Sequence, residues 1–214
     1  MNIFISANNT DCGKTYTTLK LIETISKKGY KVGVMKPIET GVKDIPIDGK
    51  KLFEEAVKFN PDLKKLSLED IIPVQLPLPA SPIVAGKIDF EKIKKAYFKI
   101  KNLCDILLIE GAGGILVPVS DNFYMIDFLK FFDAKLFMVF SSKLGMINDF
   151  LLNKSFLENK NINYTWVINV FDDSYYTISH PFMKRFNPLI IQKDLEIITD
   201  KLLKEYHGRK QNRT

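Results

Sequence analysis

The chain has 214 residues, is 46% hydrophobic and carries a formal net charge of +6, so it suits one globular domain, expected at residues 1–206 ahead of a basic, disordered tail at 207–214. No apolar run spans a bilayer, no basic-then-apolar leader is visible, and two cysteines, Cys12 and Cys104, make no disulfide framework, so a cytoplasmic, reducing setting without membrane contact is expected. The positive charge is almost all lysine, scattered as in Lys27-Lys28, Lys64-Lys65 and Lys94-Lys95, with arginine only at Arg185, Arg209 and Arg213; this argues for a solvated surface and an anionic ligand, and against nucleic acid.

The first apolar run, Asn2-Ile3-Phe4-Ile5-Ser6, reads as a buried strand. Asn8-Asn9-Thr10-Asp11-Cys12-Gly13-Lys14-Thr15 follows it, and Thr15 to Lys28 places Leu19, Ile22 and Ile25 on one helical face. A strand, a tight loop ending Gly-Lys-Thr and a helix make a phosphate-binding loop. The first turn of a helix has N–H groups with no intrahelical partner, and its dipole puts positive charge there. A loop wrapped round that end aims further N–H groups at the same point. Lys14 then reaches the β- and γ-phosphates, and the Thr15 hydroxyl binds Mg²⁺. The strict pattern has glycine where this chain has Asn8. Asparagine tolerates left-handed backbone angles, which is how the loop is expected to absorb the change.

Val32 to Met35 is a second buried strand, and Lys36-Pro37-Ile38-Glu39-Thr40-Gly41 leaves it with Lys36 as a fixed cation at the mouth of a site. Asp48, just before a helix at 49–59, is either a metal carboxylate or an N-cap. Pro61, Pro73, Pro77, Pro79 and Pro82 exclude regular helix or central strand from their stretch. Further helices fit at 89–101, 125–132, 146–159 and 195–206, and further strands at Ile106–Ile109, Leu136–Phe140 and Trp166–Ile168. Near-continuous apolar strands require cover on both faces. The expected fold is therefore α/β, of P-loop NTPase type: an open, mostly parallel sheet with helices on both faces.

In such sheets ligands bind beyond the carboxyl ends of the strands. There the third strand presents Glu110-Gly111-Ala112-Gly113-Gly114, an acid at a strand tip next to backbone that a ligand can approach. Such an acid is costly without a metal or polar partner, and Mg²⁺ coordination is its natural task. His180 and His207 lack ligand spacing, and Cys12 offers its backbone N–H rather than thiol chemistry. Two lysines, two or three carboxylates, a threonine and a phosphate loop suit phosphoryl transfer.

Several separated motifs, in order, resemble the dethiobiotin synthetase family. They are Thr10-Asp11-Cys12-Gly13-Lys14-Thr15, Lys36-Pro37-Ile38-Glu39-Thr40-Gly41, Ser81-Pro82, Glu110 to Gly114 with Pro118-Val119-Ser120-Asp121, and Lys143-Leu144-Gly145-Met146-Ile147-Asn148. The resemblance covers about residues 1–170 and implies an ATP- and Mg²⁺-dependent ligase of biotin biosynthesis. Its substrates would be 7,8-diaminononanoate, CO₂ and the nucleoside triphosphate, joined through a carbamate and a carbamic–phosphoric anhydride. By matching positions, Thr15, Asp48 and Glu110 would hold the metal. Lys14, Lys36 and Thr10 would serve catalysis. Asp11, Cys12, Gly13, Lys14, Thr15, Tyr16, Glu110, Gly113 and Asn169 would bind nucleotide. Thr40 would contact substrate, together with Gly145, Met146, Ile147 and Asn148 from the partner subunit of a homodimer. The chain departs from the family in Asp11, where a glutamate is usual, and in Asn187-Pro188-Leu189-Ile190-Ile191, which lacks the usual Gly-Glu-Ile-Pro-type segment. Two rival readings are a partitioning-type ATPase, which would need an extra lysine that Ser6 to Cys12 do not contain, and a nucleotide-binding switch.

Overall fold

The computed structural model describes the backbone of residues 1–211 and the side chains of residues 1–204. In chain order the strands are β1 (Asn2–Ala7), β2 (Val32–Met35), β3 (Ile38–Thr40), β4 (Val74–Leu76), β5 (Ile106–Gly114), β6 (Pro118–Ser120), β7 (Phe123–Tyr124), β8 (Ala134–Ser141) and β9 (Tyr164–Asn169). The α-helices are α1 (Lys14–Lys27), α2 (Ile47–Phe59), α3 (Leu68–Ile71), α4 (Pro82–Ala85), α5 (Phe90–Lys101), α6 (Phe128–Phe131), α7 (Met146–Asn159), α8 (Ser174–Ile178), α9 (His180–Met183) and α10 (Leu195–Gln211). The expected tail at 207–214 falls where the side chains, and from residue 212 the backbone, lie outside the described residues.

The main sheet runs β2-β5-β1-β8-β9, with every neighbouring pair parallel. All residues of β1 and β2 are buried, as their continuous apolar character demands. Parallel crossovers are right-handed. The α1 crossover leads from the central β1 to the edge strand β2, whereas those through α5, α6 and α7 run the other way. The two groups of helices therefore cover opposite faces. Helices α2 and α10 pack on α1. On the other face Phe4, Phe90, Phe123, Phe128 and Phe132 form an aromatic layer, with Phe128 and Phe132 stacked at 5.2 Å. Each fully buried phenylalanine contributes about 1.5–3 kcal/mol of transfer free energy. Among the described residues no helix is long and apolar enough to cross a membrane.

Three local expectations change. Strand β5 does not end at Ile109 but runs on to Gly114, so Glu110 sits inside a strand, paired with Ile5, and not at a tip. A register irregularity then brings Gly114 opposite Ala7. The proline-rich stretch supplies no strand to the main sheet, as expected, but the exclusion of regular helix fails at the single-turn α3, and the stretch is ordered in short pieces because its prolines lie outside that turn. Pro61–Lys65 forms a 3₁₀ turn, Ser67 and Asp70 form a capping box at α3, and β4 pairs in parallel with β3 in a second, two-stranded sheet. The helix expected at 125–132 divides into a 3₁₀ turn at Met125–Asp127 and the single-turn α6.

Candidate active site

A cavity of about 760 Å³ opens beyond the carboxyl ends of β1, β2 and β5. Its walls bring together Thr10, Asp11, Gly13, Lys14, Thr15, Lys36, Thr40, Asp48, Glu110 and Gly113. Both lysines thus face one space. Residues Glu39, Ser81, Val117 and Phe171 also line it; the sequence offered Ser81 and Glu39 only as members of motifs and gave no signal for the other two.

The loop from β1 to α1 has its left-handed turns at Asp11 (φ 53°) and Gly13 (φ 90°), and not at Asn8. Asn8 works instead through its side chain. Its Nδ2 donates to Asp149 Oδ2 at 2.8 Å, and its Oδ1 accepts from the Ser141 N–H at 3.2 Å. An amide thus fastens the loop to the exit of β8 and the start of α7, something a glycine could not do. Gly13 has no room for a side chain: a Cβ there would lie 2.0 Å from Asn169 Nδ2. The Lys14 ammonium is buried and donates to the Asn9 carbonyl at 3.0 Å, folded back over its own loop. Burial pulls its pKa down; Glu110 opposes the shift and Lys36 adds to it.

Glu110 is fully buried and completely engaged. Its Oε1 accepts from Thr15 Oγ1 at 2.8 Å and from Lys36 Nζ at 2.6 Å, and its Oε2 accepts from Thr18 Oγ1 at 3.0 Å. Lys36 is therefore no cation at the mouth: it is 4% exposed and lies between Glu110 and Asp48, 3.3 Å from Asp48 Oδ2. Burial alone would lower its pKa, but Glu110 and Asp48 together outweigh that and hold it above its ordinary value. Asp48 is not the N-cap of α2, which is Pro46; it lies in the first turn. The capping is done by Glu39, whose carboxylate accepts from the N–H groups of Asp48 at 3.0 Å and Gly49 at 2.9 Å. Glu39 thereby fixes the turn that carries Asp48 towards the cavity.

The Thr15 hydroxyl and two carboxylates close enough to share one ammonium form an all-oxygen donor set. Such a set fits Mg²⁺, which takes one or two carboxylates and completes its octahedron with water and phosphate oxygens. Among the described residues no group of three or more His, Cys, Asp or Glu side chains is placed to hold a metal by itself.

Other expected residues lie outside the cavity lining. Asn169 is buried behind the phosphate loop: its Nδ2 donates to the Cys12 carbonyl at 3.1 Å and its Oδ1 accepts from Gln192 Nε2 at 2.6 Å. Gln192 also bonds Val170 through both its amide N and O. Cys12 is buried, and burial raises its thiol pKa. Tyr16 is 41% exposed, with Lys20 above its ring. Gly145 to Asn148 form the start of α7, beside a Leu144 that is 90% exposed.

A phosphate loop at the centre of a five-stranded parallel sheet, with a lysine, a threonine and two acids at its rim, defines a P-loop nucleotide-binding protein. A plasmid partition protein from Borrelia burgdorferi shares this fold, with a TM-score of 0.57 at 14% identity over 95% of this chain and 98% of the other. A family model described as "AAA domain" matches residues 1–180. The protein of Sulfurovum sp. (strain NBC37-1) named "ATP-dependent dethiobiotin synthetase BioD" is 44% identical over 186 residues, covering 85% of this chain and 89% of the relative. A protein of the same name from Wolinella succinogenes is 37% identical over 211 residues, covering 94% and 97%. The chain belongs to the ATP-dependent dethiobiotin synthetase family.

Proposed function

We propose that this chain is an ATP- and Mg²⁺-dependent cyclo-ligase that converts 7,8-diaminononanoate and CO₂ to dethiobiotin, with residues 1–206 as one catalytic unit acting in the cytoplasm. The observation that carries the reading is the convergence of Lys14, Lys36, Thr15, Asp48 and Glu110 on one cavity in a member of this family.

One substrate amine adds CO₂ and loses a proton, giving a carbamate. A carbamate oxygen attacks the γ-phosphorus, and the bond from that phosphorus to the β-phosphate bridging oxygen breaks, releasing ADP. The second amine attacks the carbamoyl carbon, closes the ureido ring and expels phosphate. Lys14, freed from the Asn9 carbonyl, neutralises charge on the transferring group. Lys36, held at the carboxylates and lining the same cavity, stabilises the carbamate. Thr10 and Thr40, both in the cavity lining, supply polar contacts. The cation held by Thr15, Asp48 and Glu110 would offset charge on the β- and γ-phosphates. Backbone groups of Asp11, Cys12 and Gly13 surround the phosphates; Tyr16, Gly113 and Asn169 flank the nucleotide. In a homodimer, the Gly145–Asn148 turn of a second copy would receive the substrate carboxylate, since a helix start favours an anion.

Phosphate release measured with and without the diamine and bicarbonate tests this reading. Release that requires both co-substrates, with one phosphate per dethiobiotin, is expected. Release that ignores the diamine would leave only a nucleotide-driven switch.

A further inference from the structure

Thr18 takes no part in the scheme above, yet it is fully buried against the acid at its centre. Its hydroxyl oxygen lies 3.0 Å from Glu110 Oε2 and 2.9 Å from the Lys14 carbonyl oxygen. Both neighbours are acceptors, and a threonine hydroxyl has one proton to give. Hydrogen bonds to an ionised acceptor are roughly twice as strong as those to a neutral one. The Lys14 carbonyl also has the Thr18 backbone N–H within its own helical turn. The proton therefore goes to Glu110.

Thr15 and Thr18 are three residues apart on α1, hence on one face of the helix. Thr15 grips Oε1 and Thr18 grips Oε2, so the carboxylate is clamped to the helix whose start carries the phosphate loop. Thr15 and Lys36 both donate to Oε1, and either oxygen could accept from them, so without the grip on Oε2 the carboxylate could rotate about its last bond and exchange its two oxygens. We propose that Thr18 is a positioning residue: it pins Oε2, so that Oε1 is the oxygen offered to the divalent cation. This rests on the reading that Thr15 and Glu110 hold that cation.

The test is equilibrium binding of Mn²⁺ to the ADP-saturated protein, read from loss of the free-Mn²⁺ electron paramagnetic resonance signal, with Mn²⁺–ADP in buffer subtracted. Wild type is compared with Thr18→Val, Thr18→Ser and Glu110→Gln. Loss of an outer partner of a metal ligand typically weakens metal binding about 10–100-fold. A weakening of that size is expected for Thr18→Val, which keeps the shape and loses the hydroxyl. Thr18→Ser, which keeps the hydroxyl, should stay close to wild type. A packing role would reverse that order, because serine lacks the methyl group. If Thr18→Val does not fold, Thr18→Cys is read in its place, since a thiol is a weak donor of similar size. Wild-type Mn²⁺ binding in the valine or cysteine variant, with Glu110→Gln impaired, overturns the role of Thr18 alone. Wild-type binding in Glu110→Gln overturns the cation site itself.

Discussion

The two halves of the sheet end in different ways. Around the carboxyl-end half of β2, β5 and β1 the buried polar groups include four ions: Lys14, Lys36, Glu39 and Glu110. At the tips of β8 and β9 they are neutral: Ser141, Ser142 and Asn169, joined by Gln192. The ionic half is held by opposite charges, as where Lys36 bridges Glu110 and Asp48. The neutral half is held by amide and hydroxyl bonds to backbone, as where Asn169 supports the Cys12 carbonyl and the Ser142 hydroxyl accepts from the Phe171 N–H at 2.9 Å. Behind it Phe150 packs at 4.7 Å from Trp166 and 5.0 Å from Phe186. One half is suited to chemistry and the other to keeping the loop in shape.

The largest effects should therefore follow loss of charge in the ionic half. Lys14→Ala and Lys36→Ala are each expected to lower turnover by about 10²-fold or more. The two should differ in stability. Lys36 is buried against Glu110, and removing one partner of such a pair costs roughly 3–5 kcal/mol, so Lys36→Ala should also lower the melting temperature. Lys14→Ala should melt near wild type, since its buried ammonium meets a carbonyl. Equal melting temperatures with equal losses of activity would break the contrast between the two lysines.

Gly13→Ala comes next, because it strikes where the halves meet. The left-handed backbone costs an alanine about 1–2 kcal/mol, and the added methyl collides with Asn169. Nucleotide binding, followed by calorimetry, should be lost. Adding Asn169→Ala should restore part of it by removing the collision but not the strain. No recovery would mean that Asn169 does not press on the loop.

Smaller effects belong to the neutral half alone. Asn169→Ala should cost about 1–3 kcal/mol, because it leaves the buried Cys12 carbonyl unsatisfied, and Gln192→Ala less, because its bonds to Val170 are exposed to solvent; denaturant unfolding would measure both. A loss of turnover as deep as that of Lys14→Ala, without a loss of stability, would give Asn169 a direct chemical role. The smallest effect concerns the thiols. Burial pushes the Cys104 thiol up to about 11 and raises Cys12 as well. Both should alkylate far more slowly than free cysteine at mildly alkaline pH. Rapid labelling of Cys12 would show that the phosphate loop opens.

Much of this could be read from the residues. The apolar runs located all five strands of the main sheet, and Gly13-Lys14-Thr15 located the loop, because burial on both faces and a helix start each impose a local pattern. What escaped depends on contacts made at long range. The glycine run after Glu110 carries no strand propensity, so only pairing with β1 reveals that β5 continues. Strands β3 and β4 are three residues each, too short for periodicity. Glu39 caps a helix that begins beyond the next turn, and Gln192 reaches back to Asn169; neither leaves a mark within its own segment. Asn8 was visible as a departure from pattern, but its role needed α7 to be in place.

The ribbon from Gly111 to Gly114 carries one more implication. At about 3.3 Å per residue it extends roughly 13 Å past the central acid, and Gly111, Ala112 and Gly113 form part of the cavity wall. A Cβ added at Gly114 would stand 3.0 Å from the Asn8 carbonyl oxygen. That flank of the pocket is drawn in main chain, so its gauge is set by the peptide itself and does not breathe with rotamers. Widening or narrowing this passage by mutation would require moving a whole strand.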